Sequence, residues 1–193
     1  MVTDPISPEL VREFVIAGHG DLEKVKSLLA AHPGLLNAAH PWSGDDRETA
    51  IMAAAQVGNR PIAEFLLGQG APLSITTAAM LGRTAEVQAL LQNDPRLVAA
   101  RGAHGIPLLA HAALSGDVNL VRMLFVAGAQ DGRELALHNA LAAGQADLVR
   151  WLLENAHPDL GWKNYAGKTA LTVAAELGRT DLAELLRRHG AAG

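Results

Sequence analysis

Apolar side chains recur along this chain at helical spacing, and each recurrence starts from a glycine. Gly20, Gly58, Gly82, Gly116, Gly144 and Gly178 each have a leucine eight positions later, at Leu28, Leu66, Leu90, Leu124, Leu152 and Leu186. Five positions after the same glycines stand Val25, Ala63, Val87, Val121, Val149 and Ala183. Residues three apart share one side of a helix, so each pair belongs to a single apolar stripe and a helix follows every glycine. Just before each glycine the side chains are small, as in Ala54-Ala55, Ala78-Ala79, Ala112-Ala113 and Ala174-Ala175, with Ile16-Ala17 and Ala140-Leu141 as looser copies. Such runs suit a short helix packed closely on its neighbours. The predicted unit is helix, glycine-centred turn, helix. A unit this small has no interior of its own, so successive copies must stack into a solenoid.

Successive glycines are 38, 24, 34, 28 and 34 residues apart, so long and short connections alternate. Odd units end in a proline turn, His32-Pro33, Asp94-Pro95 or His157-Pro158, and enter a long connector. Even units end near Gly70-Ala71 or Gly128-Ala129 and pass almost directly into the next helix. Gly20 to Gly82 and Gly82 to Gly144 both span 62 residues, which implies three copies of a two-unit block. Only the long connectors, at about 38–48, 101–106 and 161–168, leave room for a hairpin. The spacing predicts one domain over 1–193, with repeats at about 7–37, 47–72, 73–100, 105–130, 133–159 and 167–191. Ser7-Pro8-Glu9 reads as a helix start, with a capping hydroxyl, proline in the first turn and an acid beside it. Glu184, Arg187 and Arg188 supply the polar outer face that a last repeat needs.

The segment Gly161 to Thr169, GWKNYAGKT, imitates a phosphate-binding loop. It has one residue too many between its first glycine and its Gly-Lys, and it follows a helix end rather than a strand. The longer stretch Asn164-Tyr165-Ala166-Gly167-Lys168-Thr169-Ala170-Leu171-Thr172-Val173-Ala174-Ala175 resembles the ankyrin-repeat pattern D-x-x-G-x-T-P-L-H-x-A-A. The resemblance runs from about Ser7 to Ala191 and includes the Gly-Ala pairs that end the outer helices. It implies an all-α solenoid of about six ankyrin-like repeats with three β-hairpin fingers. Gly167 then becomes a turn glycine, Thr169 starts an inner helix and Lys168 is a solvated turn residue. The family's Thr-Pro-Leu-His never occurs whole; only His138 fills the histidine position, with Met52, Thr76, Ala110 and Thr172 standing in elsewhere.

Composition limits the chemistry. A chain of 193 residues, 49% hydrophobic and with net charge -4, is expected to be globular and has no basic excess for nucleic acid. The absence of cysteine rules out disulfides and thiolate ligands. The first residues lack a signal-peptide pattern and no apolar run approaches the roughly 18 residues of a membrane span, so a cytoplasmic location is expected. His19, His40, His104, His111 and His138 could gather on one side of a solenoid, but none shows the i, i+4 pairing of a helical metal site. No catalytic residue, metal or cofactor is therefore assigned. Ser43-Gly44-Asp45 and Ser115-Gly116-Asp117 lack the strand-turn-helix setting of a nucleophile elbow.

The resemblance implies a non-catalytic module that binds another protein through its finger tips and inner-helix ends, on the concave face. Carried onto this sequence, the tips are Trp42, Asp45, Asp46, His104, Trp162 and Tyr165, and the inner-helix ends are Gln56, Val57, Met80, Leu81, Leu114, Glu176 and Leu177. Asp45 and Asp46 suggest a partner with a basic patch, met by a monomer. Trp42 and Trp162 are either contact residues or packing folded over the places where fingers are missing. For Met80, Leu81 and Leu114, beside the short connections, packing is the stronger expectation. Trp151 is expected to pack on an outer helix. The alternative function is a small-molecule binder or enzyme, using a recess lined by Thr77, His111, His138 and Asn139; a self-associating structural protein is a third class.

Overall fold

The computed structural model describes residues 6–192. Among them are twelve α-helices in six pairs. The pairs are α1 (Pro8–Gly18) with α2 (Leu22–Ala31), α3 (Ala50–Val57) with α4 (Arg60–Gly68), α5 (Ile75–Met80) with α6 (Thr84–Asn93), α7 (Leu108–Ser115) with α8 (Val118–Val126), α9 (Arg133–Ala142) with α10 (Ala146–Trp151), and α11 (Ala170–Glu176) with α12 (Thr180–Arg188). The last turn after α10, Leu152–Ala156, widens to π-helical. Most inner helices begin at a side-chain cap. The hydroxyls of Ser7, Thr49, Ser74 and Thr169 accept from the backbone N–H three residues on, which satisfies a donor the helix cannot.

The odd-numbered, inner helices stack in chain order, α1 on α3, α3 on α5, and so on to α11. Their alanines make this possible: Ala53, Ala54, Ala78, Ala79, Ala112, Ala113, Ala140 and Ala174 have no exposed surface. The outer row meets more loosely, as in α2 on α4, α8 on α10 and α10 on α12. The predicted stripe is buried at Leu66, Leu124, Leu152 and Leu186, whereas Leu28 and Leu90 are half-buried on α2 and α6. Trp151 packs edge-on against Phe125, 5.7 Å between ring centres, as expected for the outer row.

The short connections carry no hairpin, and Gly70 (φ 96°) and Gly128 (φ 111°) turn them in a left-handed conformation that other residues rarely adopt. The three long connectors differ from the expectation of three hairpins. The first is a strand pair, β1 (Ala39–Ser43) antiparallel to β2 (Asp46–Thr49). The second closes through one bridge, Arg101 to Pro107, around the short turn Ala103–Gly105. The third is a turn closed by Asn164 N–H on Lys168 O at 3.0 Å. In the second, Pro107 has no N–H to give and the Arg101 side chain takes the Gly105 carbonyl, and in the third the Asn164 side chain takes the N–H groups of Ala166 and Lys168.

Candidate functional site

The first finger is built on a bulge. Ladder pairing runs Ala39 to Thr49, His40 to Glu48 and Pro41 to Arg47, then slips so that Ser43 opposes Asp46. Trp42 sits at the slip, which re-aims its side chain. Its indole Nε1 donates to Glu48 Oε2 at 2.7 Å, its ring meets the edge of His40 at 4.5 Å, and the Arg12 guanidinium lies 5.9 Å from the ring centre. Trp42 is thus half-buried and held from several sides.

Glu48 has no exposed surface. Oε1 of this carboxylate has no hydrogen bond and lies 3.6 Å from His19 Nε2, while His104 Nε2 lies 3.6 Å from Oε2. His104, from the second finger, sits at φ 55° and ψ 23°. That left-handed backbone brings two groups to one carboxylate: the His104 N–H is 3.0 Å from Asp46 Oδ1 and its Nδ1 is 2.6 Å from Oδ2. The ring and backbone bonds from His104 hold the Asp46 carboxyl below the usual carboxylate range. Because no finger follows the second repeat, the first finger rests directly on the second. His19, His40, His104, Asp46, Glu48 and Trp42 thus form one cluster where the two fingers meet. Among the described residues, however, no three histidine, aspartate or glutamate side chains are arranged to hold a metal ion.

Other candidates fall into three groups. Asp45, Tyr165 and Glu176 are exposed, Tyr165 completely, with Glu176 paired to Lys168 Nζ at 2.6 Å. Gln56, Leu114 and Trp162 are half-buried. Leu114 lies over Gly58, and Trp162 meets the ring of His138 edge-on at 5.2 Å. Met80 and Leu81, at 2% and 4% exposure, belong to the core and present nothing to a partner, a correction to their placement on the recognition surface. The short α4–α5 connection brings α5 down onto the first two repeats and closes over them. Lys168 ties the third turn to α11 through Glu176, so it is a structural surface residue with no phosphate-type cradle around it.

The alternative recess does not form. Thr77, His111 and His138 are buried, and Asn139 donates to Ala110 O at 2.9 Å. His111 Nδ1 lies 3.1 Å from Ala55 O, and burial pushes its pKa down; burial does the same to His138. These groups fill the space between inner helices rather than lining an opening. A cleft of about 290 Å³ lies elsewhere, between α2 and α4, lined by Leu29, Pro33, Leu36 and Phe65 with Lys26 and Gln69 at its rim.

Sequence reasoning brought His19, His40 and His104 to one side of the molecule but missed Glu48, which it treated only as the end of a finger. The one available signal is alternation: His40 and Trp42, then Asp46 and Glu48, are each two apart, as on one face of a strand. The exposed apolar residues Val57 and Leu177, at 47% and 50%, occupy the position just before the turn glycine, where a solenoid leaves its inner-helix ends uncovered.

A family model of ankyrin repeats in three copies matches residues 109–192, and one of the single ankyrin repeat matches residues 46–78. Both matched stretches contain whole inner helices, α3 in one and α9 and α11 in the other. A comparison with curated proteins finds no match.

Proposed function

From the premise that this chain belongs to the ankyrin-repeat family, we propose that it is a non-catalytic binding module whose finger tips and inner-helix ends engage one protein partner. Ankyrin repeats are generally protein-interaction modules. A fold alone does not fix a function, so the residues must carry the rest. The observation that carries it is a set of uncovered apolar side chains at the positions where such repeats meet partners. Val57 and Leu177 end inner helices, and Tyr165 stands wholly exposed at the third finger's tip. A tyrosine with a free ring offers large contact area at small entropic cost, which suits an interface anchor.

The charge preference narrows. Asp46 is engaged by His104, which leaves Asp45 as the acid of the first finger free to meet a basic patch, with Arg47 exposed beside it. Trp42 and Trp162 support the surface from beneath. We assign the protein a monomeric state and a soluble location; no helix among the described residues is long and apolar enough to cross a membrane.

The test uses Val57→Ser, Tyr165→Ala and Leu177→Ser together. The wild-type chain captures its partner from native extract, the partner is identified by mass spectrometry, and binding is then measured with both purified. The triple variant should keep the wild-type melting curve and lose at least about 1.4 kcal/mol of binding, tenfold in affinity. A variant that melts normally and binds as tightly as wild type places the surface elsewhere.

A further inference from the structure

The buried apolar side chains do not form one continuous core. One cluster spans α1 to α4 and ends with Met80 and Leu81; the other begins with Ile75, Ala78 and Ala79 and runs to the last helix. Helix α5 thus divides its side chains between two cores. The seam it forms is polar. Thr76, Thr77 and His111 are buried there, the Ser74 hydroxyl lies 2.9 Å from both threonine hydroxyls, and His111 Nε2 and Gln56 Oε1 have no partner. Packing between α3 and α5 is the thinnest of the inner row.

Apart from Leu114, which packs from α7 onto the N-terminal cluster over Gly58, the ties across the seam are polar. His111 Nδ1 meets Ala55 O at 3.1 Å and Arg83 pairs with Glu64 at 3.8 Å, while Arg60 Nη2 donates to Leu81 O at 2.8 Å within the N-terminal block. The shortest tie lies between the fingers, where one Asp46 carboxylate takes both the ring and the backbone N–H of His104. His104 holds a left-handed backbone to make it, a conformation that costs energy for a residue with a side chain and persists only when something fixes it.

We propose that the protein consists of two cooperative blocks, α1–α4 with the end of α5 and the remainder through α12, and that the Asp46–His104 clasp couples their opening. In a stacked-repeat protein each unit is held by its nearest neighbours, so a weak interface sets where the chain opens first. A finger contact that reaches over the missing second finger bypasses that interface. With the clasp closed, the blocks open together; without it, the N-terminal block opens alone and takes the first finger with it.

Hydrogen exchange on the full chain, read by mass spectrometry, tests this. Asp46→Ala should speed exchange of the slow amides in α1, α3 and α4 by about tenfold or more relative to those in α7 to α12. His104→Gly should do the same while relieving the left-handed backbone and leaving the hairpin intact, so it carries the test if Asp46→Ala fails to fold. Asp45→Ala, one residue away and exposed, should change neither block. The proposal is overturned if both blocks accelerate equally, if neither does, or if Asp45→Ala reproduces the effect.

Discussion

Glu48 shows how a single side chain can settle a role. Its carboxyl group is fully buried and accepts from the Trp42 indole, so that tryptophan acts first as the partner of a buried polar group. Removing one member of such a pair leaves the other without its hydrogen bond, at a cost of about 1–3 kcal/mol. Trp42→Phe should therefore lower stability by that amount in chemical denaturation; an unchanged midpoint would return Trp42 to the contact surface. Acid should act through other residues. Burial holds His111 and His138 below the ordinary histidine value of 6.5, so the unfolded chain takes up their protons first. Their contribution is fully present above that value and is lost as pH falls toward the folded pKa. Asp46, depressed below 3.8 by His104, adds a second loss only in stronger acid. Stability should fall as pH drops below 6.5, and His111→Asn, whose amide can still reach Ala55 O, should flatten that fall. An equally steep fall in the variant, followed by denaturation midpoints at several pH values, assigns it to other groups.

At the scale of elements, close approach between inner helices decides which small residues are replaceable. A Cβ added to Gly18, inside α1, would stand 2.6 Å from Ala50 O and 2.9 Å from Ala50 Cα, both backbone atoms at the start of α3. A Cβ added to Gly20, in the following turn, meets nothing within 4 Å. Gly18→Ala should cost about 1–3 kcal/mol as the two helices are pushed apart. Gly20→Ala should stay within about 0.5 kcal/mol of wild type or stabilise slightly. Thermal melts of the two variants distinguish these outcomes, and equal midpoints would mean that α1 can shift on α3 freely. The fingers follow the opposite logic. Their length was readable from the connectors, but whether a connector pairs as strands depended on how its backbone groups were used by Pro107 and by Asn164.

For the whole molecule, stability is the sum of neighbouring contacts, and the Asp46–His104 clasp decides whether damage stays local. Leu124 is fully buried in the larger cluster, so Leu124→Ala should cost about 2–5 kcal/mol. Because repeats α1–α4 have their own core, the loss should appear as early unfolding of the C-terminal repeats when Leu124→Ala is combined with Asp46→Ala, whereas Leu124→Ala alone, with the clasp closed, should lower one common transition. Tryptophan fluorescence can follow it: Trp151 and Trp162 lie in the damaged part and Trp42 in the other. Coincident transitions from all three in the double variant would show one cooperative unit.

The chain's periodicity determined by itself that six helix pairs stack, that long and short connections alternate, and which leucines and alanines face inward, because helical spacing and side-chain size are local properties. The exposed positions Val57, Tyr165 and Leu177, proposed above as the recognition surface, were readable for the same reason: the repeat register says where an inner helix or finger ends. Tertiary structure decided the rest. It closed the alternative recess at His111 and His138 and joined Asp46 to His104 across 58 residues of chain. It also split the core at α5. These outcomes depend on which repeats touch once a finger is missing, and contacts between distant segments leave no trace in the spacing of either segment alone.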